Sequence, residues 1–268
     1  MGKFDKVLVA SDYDGTLACS DGRISNDVKE KIAYFQKEGG LFTVCTGRTK
    51  QGFHAYSPDI INAPVLLANG SMAYDFKNEK IVYTNCIQKS DKAVLEKIIA
   101  AFPDICIEFY SDKFRSYAVK LDERSRRHFE NQFIEYEEIT ELNDDMFPLV
   151  KVMAGAGEHT FEFQDFLREI DMGDISFIPC DGHFVELVNR TSGKGSGLLC
   201  LADALSVAHK DVYSIGDGAN DVDMHRVAAH AFVPSNGDKF ALASAGTVIR
   251  SNNEGAVANV IEILDSWY

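Results

Sequence analysis

The chain has 268 residues, of which 46% are hydrophobic and 25% charged, with a formal net charge of −14 and a pI near 4.9. That length suits one large domain or a core with an inserted lobe, and the acidic balance opposes binding to a phosphate backbone or an anionic membrane. No apolar run approaches the roughly 18 residues of a membrane span, no low-complexity tract suggests a disordered tail, and no cleavable apolar leader is expected before the first strand. The expectation is a soluble cytoplasmic protein with neither a nucleic-acid nor a membrane partner; the pattern leaves the oligomeric state unknown.

In chain order, the sequence predicts a strand over Lys6–Ala10, a helix over Ser25–Glu38 opened by Ser25 and Asn26, and strands over Leu41–Thr46 and Val65–Ala68. Gly39 and Gly40 stop the helix where a left-handed cap belongs, and Ala63-Pro64 bounds the next strand. This alternation is a βα rhythm, so the sheet should be parallel and covered by helices. From about Ser71 to Arg190 the rhythm changes. Strands with polar alternation (Lys80–Thr84, Ile105–Tyr110, Ser116–Lys120, Leu149–Ala154) stand between helix-like stretches at Lys89–Ala101 and Thr160–Ile170, which fits an antiparallel sheet with helices on one face. The βα rhythm then returns: helix Gly195–Leu205, strand Val212–Ile215, helix Asp221–Ala229, strands Ala231–Val233 and Thr247–Ile249, and a closing helix Glu254–Ser266. The fold class is therefore α/β, a Rossmann-like parallel-sheet core (1–70 plus 191–268) with an inserted α/β lobe at 71–190.

Six cysteines, Cys19, Cys45, Cys86, Cys106, Cys180 and Cys200, are scattered without a C-x-x-C pair and read as free thiols in a reducing compartment. Cys45 in a strand and Cys200 in a helix are expected to be buried. Arg124, Arg126, Arg127 and His128 form the one basic knot, a solvated helix face or a contact for an anionic group.

Four segments sit where a βα sheet presents ligands, at strand carboxyl ends or helix starts. Just past the first apolar run come Asp12, Tyr13, Asp14, Gly15 and Thr16, two carboxylates on a Gly-permitted turn. Such a pair suits a nucleophile, although an ordinary strand-to-loop turn has the same composition. Thr46, Gly47 and Arg48 follow the second strand, where a hydroxyl and backbone N–H groups make an anion site; a plain Thr-Gly turn also fits. Lys194 lies in the stretch Ser192 to Gly197 at a helix entrance, able to pair with a carboxylate and a phosphoryl oxygen, or simply solvated. It is not a nucleotide-binding P-loop, because Val188 stands where the earlier Gly is required and no strand leads directly into the loop. Gly216, Asp217, Gly218, Ala219, Asn220 and Asp221 follow the strand Val212–Ile215. Neither acidic cluster has the alternating oxygens and twelfth-position Glu of an EF-hand. What remains is a shared site in which Asp12, Asp14 and Asp217 offer hard oxygen ligands to Mg²⁺.

Taken together and in this order, the Asp-x-Asp-Gly-Thr turn, the Thr-Gly-Arg turn, the Lys in a Gly-rich stretch and the Gly-Asp-x-x-Asn-Asp turn resemble the motifs of the haloacid dehalogenase superfamily. The long insertion between the second and third motifs resembles that of its Cof-type subclass IIB phosphatases, which carry a large α/β C2 cap. The resemblance implies Mg²⁺-dependent transfer of a phosphoryl group to Asp12, with Asp14 protonating the leaving oxygen and then activating water. It further implies that Thr46, Gly47, Arg48, Lys194 and Asn220 bind the substrate, with Lys194 also countering the charge on Asp12. The metal would be held by the Asp12 carboxylate, the Asp14 carbonyl and Asp217, with Asp221 behind them. Two positions depart from the family pattern. Tyr13 replaces an apolar residue, and Phe232 to Gly237 (Phe-Val-Pro-Ser-Asn-Gly) stands where relatives carry Val-Ala-Met-Gly-Asn, with Gly and Asn exchanged and a Pro added.

The implied substrate is a small phosphorylated metabolite, with sugar phosphates the first expectation. A phosphomutase, a phosphatase for pyridoxal phosphate or flavin mononucleotide, and an inactive sensor of phosphorylated ligands are the alternatives. Asn69 and Gly70, which end the third core strand at the first hinge, and Glu186 and Asn189 near the return hinge suit contact with a polyol. Capping of an edge strand by Glu186 and a turn at Asn189 explain the latter two equally. Phe109, Tyr110 and Tyr117 are expected in the insertion's own core.

Overall fold

The computed structural model describes residues 2–179 and 183–268; Cys180 lies outside them. The chain divides into two compact units, one of Met1–Gly47, Ala55–Tyr83 and Gly193–Tyr268, the other of Arg48–His54 and Thr84–Ser192.

The first unit is built on five parallel strands, β1 (Leu8–Ser11), β2 (Leu41–Val44), β12 (Val212–Ile215), β13 (His230–Pro234) and β14 (Thr247–Ile249), in the order β14-β13-β12-β1-β2. The numbering leaves β3 to β11 for strands described below. Every residue of β1 and β12 is buried, as expected of strands covered on both faces. Leu8 and Ala10 pack with Leu198, Leu201 and Met224 from α5 (Lys194–Ala204) and α6 (Val222–Val227). Elsewhere in the unit, α1 (Asn26–Lys37) packs on β2 and on α8 (Ala256–Trp267). Helix α1 starts because the Ser25 side chain accepts from the Val28 N–H, and it stops at Gly39, whose φ of 92° only glycine adopts without strain.

Strand β3 (Val65–Leu67) touches the parallel sheet through one Cys45–Leu66 bridge and otherwise belongs to a three-stranded sheet with β4 (Met72–Asp75) and β5 (Lys80–Thr84). This hairpin, assigned to the insertion from the sequence, thus joins the first compact unit up to Tyr83. The physical reason is burial: Met72, Ala73 and Tyr74 pair antiparallel with β3 and are covered, and the Tyr83 hydroxyl donates to the Gly70 carbonyl at 2.9 Å.

The second unit carries a six-stranded sheet in the order β10-β11-β9-β6-β7-β8, formed by β6 (Cys106–Ser111), β7 (Ser116–Val119), β8 (Glu137–Glu138), β9 (Leu149–Gly155), β10 (Ile175–Pro179) and β11 (Val185–Asn189). All neighbours are antiparallel except β7 and β8. Alternation along each strand divides its faces. Ile107, Phe109, Val152, Ala154 and Leu187 form an apolar core with α2 (Lys92–Ala101) and α4 (Thr160–Glu169) through Leu95, Ile98, Phe163 and Leu167. Glu108, Tyr110, Lys151 and Glu186 occupy the intervening positions and are buried as well. Phe109 and Tyr117 are in the apolar core as expected, whereas Tyr110 is on the polar side, its hydroxyl donating to Glu108 Oε2 at 2.5 Å.

The basic knot lies on α3 (Glu123–Asn131), capped by Asp122. Arg124, Arg126 and Arg127 are exposed, and only His128 reaches inward, with Nδ1 2.8 Å from Glu108 Oε2. A further helix, α7 (Lys239–Ser244), has no counterpart among the predicted elements; the Asp238 side chain opens it by accepting from the Phe240 and Ala241 N–H groups. The five described cysteines are free; Cys45 is buried, but Cys200 is exposed, contrary to expectation, because its face of α5 points to solvent. Among the described residues no helix is long and apolar enough to cross a membrane.

Phe163 is fully buried between α2 and the sheet. Phe163→Ala should therefore lower the stability of the second unit by about 3–5 kcal/mol, read as an earlier midpoint of that unit's transition in urea.

Candidate active site

The strand registers bring the motif turns together. Ser11 is level with Ile215 on one side and Val44 on the other, so the residues that follow, Asp12, Gly216 and Cys45-Thr46, emerge side by side at the carboxyl edge. The Asp12 N–H donates to the Ile215 carbonyl at 2.8 Å, and the Cys45 N–H to that of Ser11 at 2.8 Å. Past Asp12 the chain makes one wide turn, Tyr13–Leu17, closed by Leu17 N–H to the Asp12 carbonyl at 3.2 Å and interrupted by Gly15 at φ 78°. Glycine is required there twice over. Its φ is left-handed, and a Cβ would stand within 2.4 Å of Asp217 Oδ2. Gly216 is held in the same way, since a Cβ there would stand 2.4 Å from the Asp221 carboxylate carbon.

The carboxylates of Asp12, Asp217 and Asp221 each offer an oxygen within 4.8 Å of the others. Lys194, 1% exposed, donates to Asp12 Oδ1 at 2.6 Å and to Asp221 Oδ1 at 2.5 Å. Asp217 Oδ1 accepts from the Thr16 hydroxyl at 2.6 Å, and Asp221 Oδ2 from the Gly218 N–H at 2.9 Å. Asp221, predicted to stand behind the metal ligands, is thus a member of the cluster itself. The Asp14 carboxylate is not; its residue is exposed on the turn.

Thr46 is buried beside this edge, with its N–H on the Leu66 carbonyl and its carbonyl accepting from the Asn69 N–H. Asn69 adopts φ 50° between Ala68 at 48° and Gly70 at 85°, and its Oδ1 accepts from Asn220 Nδ2 at 3.3 Å. Three successive positive φ values, one of them on Ala, are a local strain of the kind found at functional sites. Gly47 closes the first unit, and a Cβ on it would crowd the Asn69 amide at 3.2 Å. Arg48 begins a segment of the second unit, where its guanidinium donates to the Gly52 carbonyl at 3.4 Å. Glu186 does not cap an edge strand: β11 lies between β10 and β9, and Glu186 Oε2 accepts from Lys151 Nζ at 3.2 Å in a buried pair. Asn189 makes the turn, accepting from Thr191 N–H at 3.0 Å.

Three supporting side chains lie outside the four motif segments. Asp223 accepts from the Gly195 N–H at 2.9 Å and the Met224 N–H at 2.8 Å, pinning the start of α5 and so the Lys194 backbone. His225, buried under the Gly216 turn, bonds Ser214 Oγ and the Gly216 carbonyl, and burial holds its pKa below the ordinary value. Asn236 is the third and is treated below. None falls in a recognisable motif, because each acts through a backbone group far away in sequence.

Charge is the dominant feature of the cluster. Burial, opposed by Lys194 and reinforced by Asp221 and Asp217, pushes the Asp12 carboxyl up to about 8 in the protein without a cation. Asp217 is raised too, by burial against the pull of the Thr16 hydrogen bond. Burial alone would lower Lys194, but Asp12 and Asp221 carry it well above its ordinary value, so it stays an ammonium. Three carboxylates against one ammonium leave the site short of positive charge, and a donor set of hard oxygens fits a divalent cation such as Mg²⁺.

A family model of haloacid dehalogenase-like hydrolases matches residues 9–261, and the chain belongs to that family. It is 26% identical to the 5-amino-6-(5-phospho-D-ribitylamino)uracil phosphatase of Bacillus subtilis, over 96% of this chain and 97% of that one. In fold it is similar to the subclass IIB sugar phosphatase BT4131, with a TM-score of 0.84 at 16% identity over 97% of this chain and 99% of the other. A haloacid dehalogenase-like hydrolase from Bacteroides thetaiotaomicron superposes with a TM-score of 0.82 at 22% identity, over 96% and 99%. With this family and such relatives, the chain is a phosphatase enzyme.

Two expectations follow from the charge. Asp12 and Asp217 keep protons in the folded, cation-free protein that the unfolded chain gives up near pH 4. The contribution of Asp12 to stability is full below that pH and is lost as pH rises through about 8, and that of Asp217 is lost in the same direction. Cation binding displaces those protons. The rise in Tm on adding Mg²⁺ should therefore grow between pH 5 and 8 by scanning calorimetry; an increment independent of pH contradicts the account. Lys194→Ala leaves Asp12 and Asp221 without their buried partner and should cost about 3 kcal/mol of stability in chelator, measured by denaturant unfolding.

Proposed function

We propose that this phosphatase hydrolyses monoesters of small phosphorylated polyols, sugar phosphates among them, in a Mg²⁺-dependent reaction through a phosphoryl group carried on Asp12. The observation that carries the reading is the Asp12 carboxylate at the head of β1, buried, bonded to the Lys194 ammonium and adjoining Asp217 and Asp221. A carboxylate held so can act as a nucleophile toward phosphorus once its own charge is offset.

Asp12, Asp217 and Asp221 would hold the cation together with the Asp14 main chain. Bound there, it would keep Asp12 ionised and lessen the repulsion between that carboxylate and the phosphate dianion. In the first step an Asp12 carboxylate oxygen bonds to phosphorus, the bond from phosphorus to the ester oxygen breaks, and the Asp14 carboxylic acid gives that oxygen its proton. In the second step a water oxygen bonds to phosphorus, Asp14 takes the water's proton, and the Asp12 oxygen leaves, which releases inorganic phosphate. Asp14 suits this double duty because it is exposed on the turn. Lys194 would meet a phosphoryl oxygen as well as Asp12, and Thr46 with the Gly47 N–H would take the others. Asn220, bonded to Asn69, would orient the transferring group. Arg48, which follows Thr46 and Gly47 in the same motif, would contribute to substrate binding.

The substrate class is supported by two names. One curated relative acts on a phospho-D-ribitylamino compound and one structural neighbour is a sugar phosphatase, so both esters join phosphate to a polyhydroxylated chain. Phosphate release from a panel of sugar, ribityl, pyridoxal and flavin phosphates, with Mg²⁺ or chelator, tests the proposal. Wild type should release phosphate only with the cation and fastest from the polyol esters, whereas Asp12→Asn should lose at least ~1,000-fold in kcat while keeping its melting profile. Release without the cation, or by Asp12→Asn at the wild-type rate, refutes the mechanism. No release from any ester by wild type favours a mutase or a phospho-ligand sensor.

A further inference from the structure

The segment Pro234 to Asp238, where the sequence departs from the family pattern, reaches both loops of the active site. Asn236 Nδ2 donates to the Gly15 carbonyl at 2.9 Å, and its Oδ1 accepts from the Asn252 N–H at 2.9 Å. The Asn252 side chain in turn donates to the Ala18 carbonyl at 2.9 Å. The turn Tyr13–Leu17 is thereby gripped at its middle and just past its end by one asparagine pair. Two residues on, the Asp238 N–H donates to the Asp217 carbonyl at 2.8 Å, and Asp238 Oδ2 accepts from the Ala219 N–H at 2.8 Å.

Gly15 is the point at which the bond matters. It is the left-handed residue immediately after Asp14 and the place where the turn abuts Asp217. Glycine has the widest conformational freedom of any residue, so its peptide can rotate unless something holds it, and the Asn236 amide holds its carbonyl. That carbonyl lies in the peptide joining Gly15 to Thr16, so holding it fixes ψ at Gly15 and thereby the course of the turn on which Asp14 stands beside Asp12. Gly237 lets the segment fold back closely on itself, since a Cβ there would stand 2.8 Å from Val233 Cγ1 and 3.0 Å from the Pro234 carbonyl oxygen.

We infer that Asn236 is a positioning residue that fixes the Gly15 peptide and so aims the Asp14 carboxyl group at the leaving oxygen. This rests on the reading of Asp14 as the proton donor. A misdirected acid has a distinctive kinetic signature. An alkoxide leaves phosphorus only with a proton, whereas 4-nitrophenolate leaves without one. Loss of aim slows the first step, release of the leaving group, for the alkyl ester alone, because the second step is common to both esters, while loss of folded protein slows both alike.

The test compares Asn236→Ala and Asp14→Asn with wild type in Mg²⁺ by the single-turnover rate of leaving-group release from an alkyl sugar phosphate and from 4-nitrophenyl phosphate. For Asn236→Ala, that rate is expected to fall on the order of tenfold or more with the sugar phosphate and to stay nearly unchanged with the 4-nitrophenyl ester. Equal losses on both esters, or no loss on either, overturn the assignment of Asn236. Asp14→Asn separates the two ideas: it should show the same selectivity in stronger form. If Asp14→Asn slows both esters equally, the reading of Asp14 falls. A selective loss in Asn236→Ala alone would then attach the aiming role to a different acid and overturn the inference as stated.

Discussion

The fully buried ammonium of Lys194 is the interaction on which the rest of this structure depends. An isolated charge so far from water costs several kcal/mol, and here it is offset by Asp12 and Asp221, at 2.6 and 2.5 Å. Those two carboxylates come from different strand ends, more than two hundred residues apart in the chain. Their meeting requires β1 and β12 to be adjacent and in register, which they are. It also requires α5 to begin at Lys194, which Asp223 secures by accepting from the Gly195 N–H. Glycine at 15 and 216 follows from the same crowding, since any side chain there would collide with Asp217 or Asp221.

The arrangement is incomplete in charge by design of its residues. One ammonium among three carboxylates holds them together but leaves Asp12 biased toward its protonated form. The nucleophilic role proposed for Asp12 needs the opposite state, which a cation bound among the carboxylates would supply. Folding stability and chemistry are therefore linked through a shared set of carboxylates.

Support for the site comes from places with no chemistry of their own. His225 props the Gly216 turn from below, Asp223 ties two helices, and Asn236 with Asn252 closes on the Asp12 to Gly15 turn. In the second unit the sheet has an equally divided character. One face is apolar and packed on α2 and α4, while the other buries Glu108, Tyr110, Lys151 and Glu186; Tyr110 and His128 both meet Glu108 Oε2, and Lys151 donates to Glu186.

Strand periodicity and Gly-rich turns are local properties. For that reason Val212–Ile215 and Thr247–Ile249 match their predicted bounds and α1 differs only by its caps, whereas Asp12, Asp217 and Lys194 stand out only through the order of the four motifs taken together. The division into a parallel α/β part and an antiparallel insertion is legible on the same grounds. Residues 72–83 were assigned to the wrong side of that division because an exposed-edged hairpin reads alike in either unit; its pairing with β3 decides. Cys200 and α7 eluded the reading because a helix face and a six-residue helix depend on what packs against them. The place of Asp221 within the carboxylate cluster, the Lys194 contacts and the Asn236 bond to Gly15 were decided only by tertiary structure. Sequence determines which groups stand at strand ends, since hydrogen-bonded geometry is set by near neighbours; distances of a few ångströms between groups from separate strands exist only once the sheet has fixed its register and the helices have closed over it.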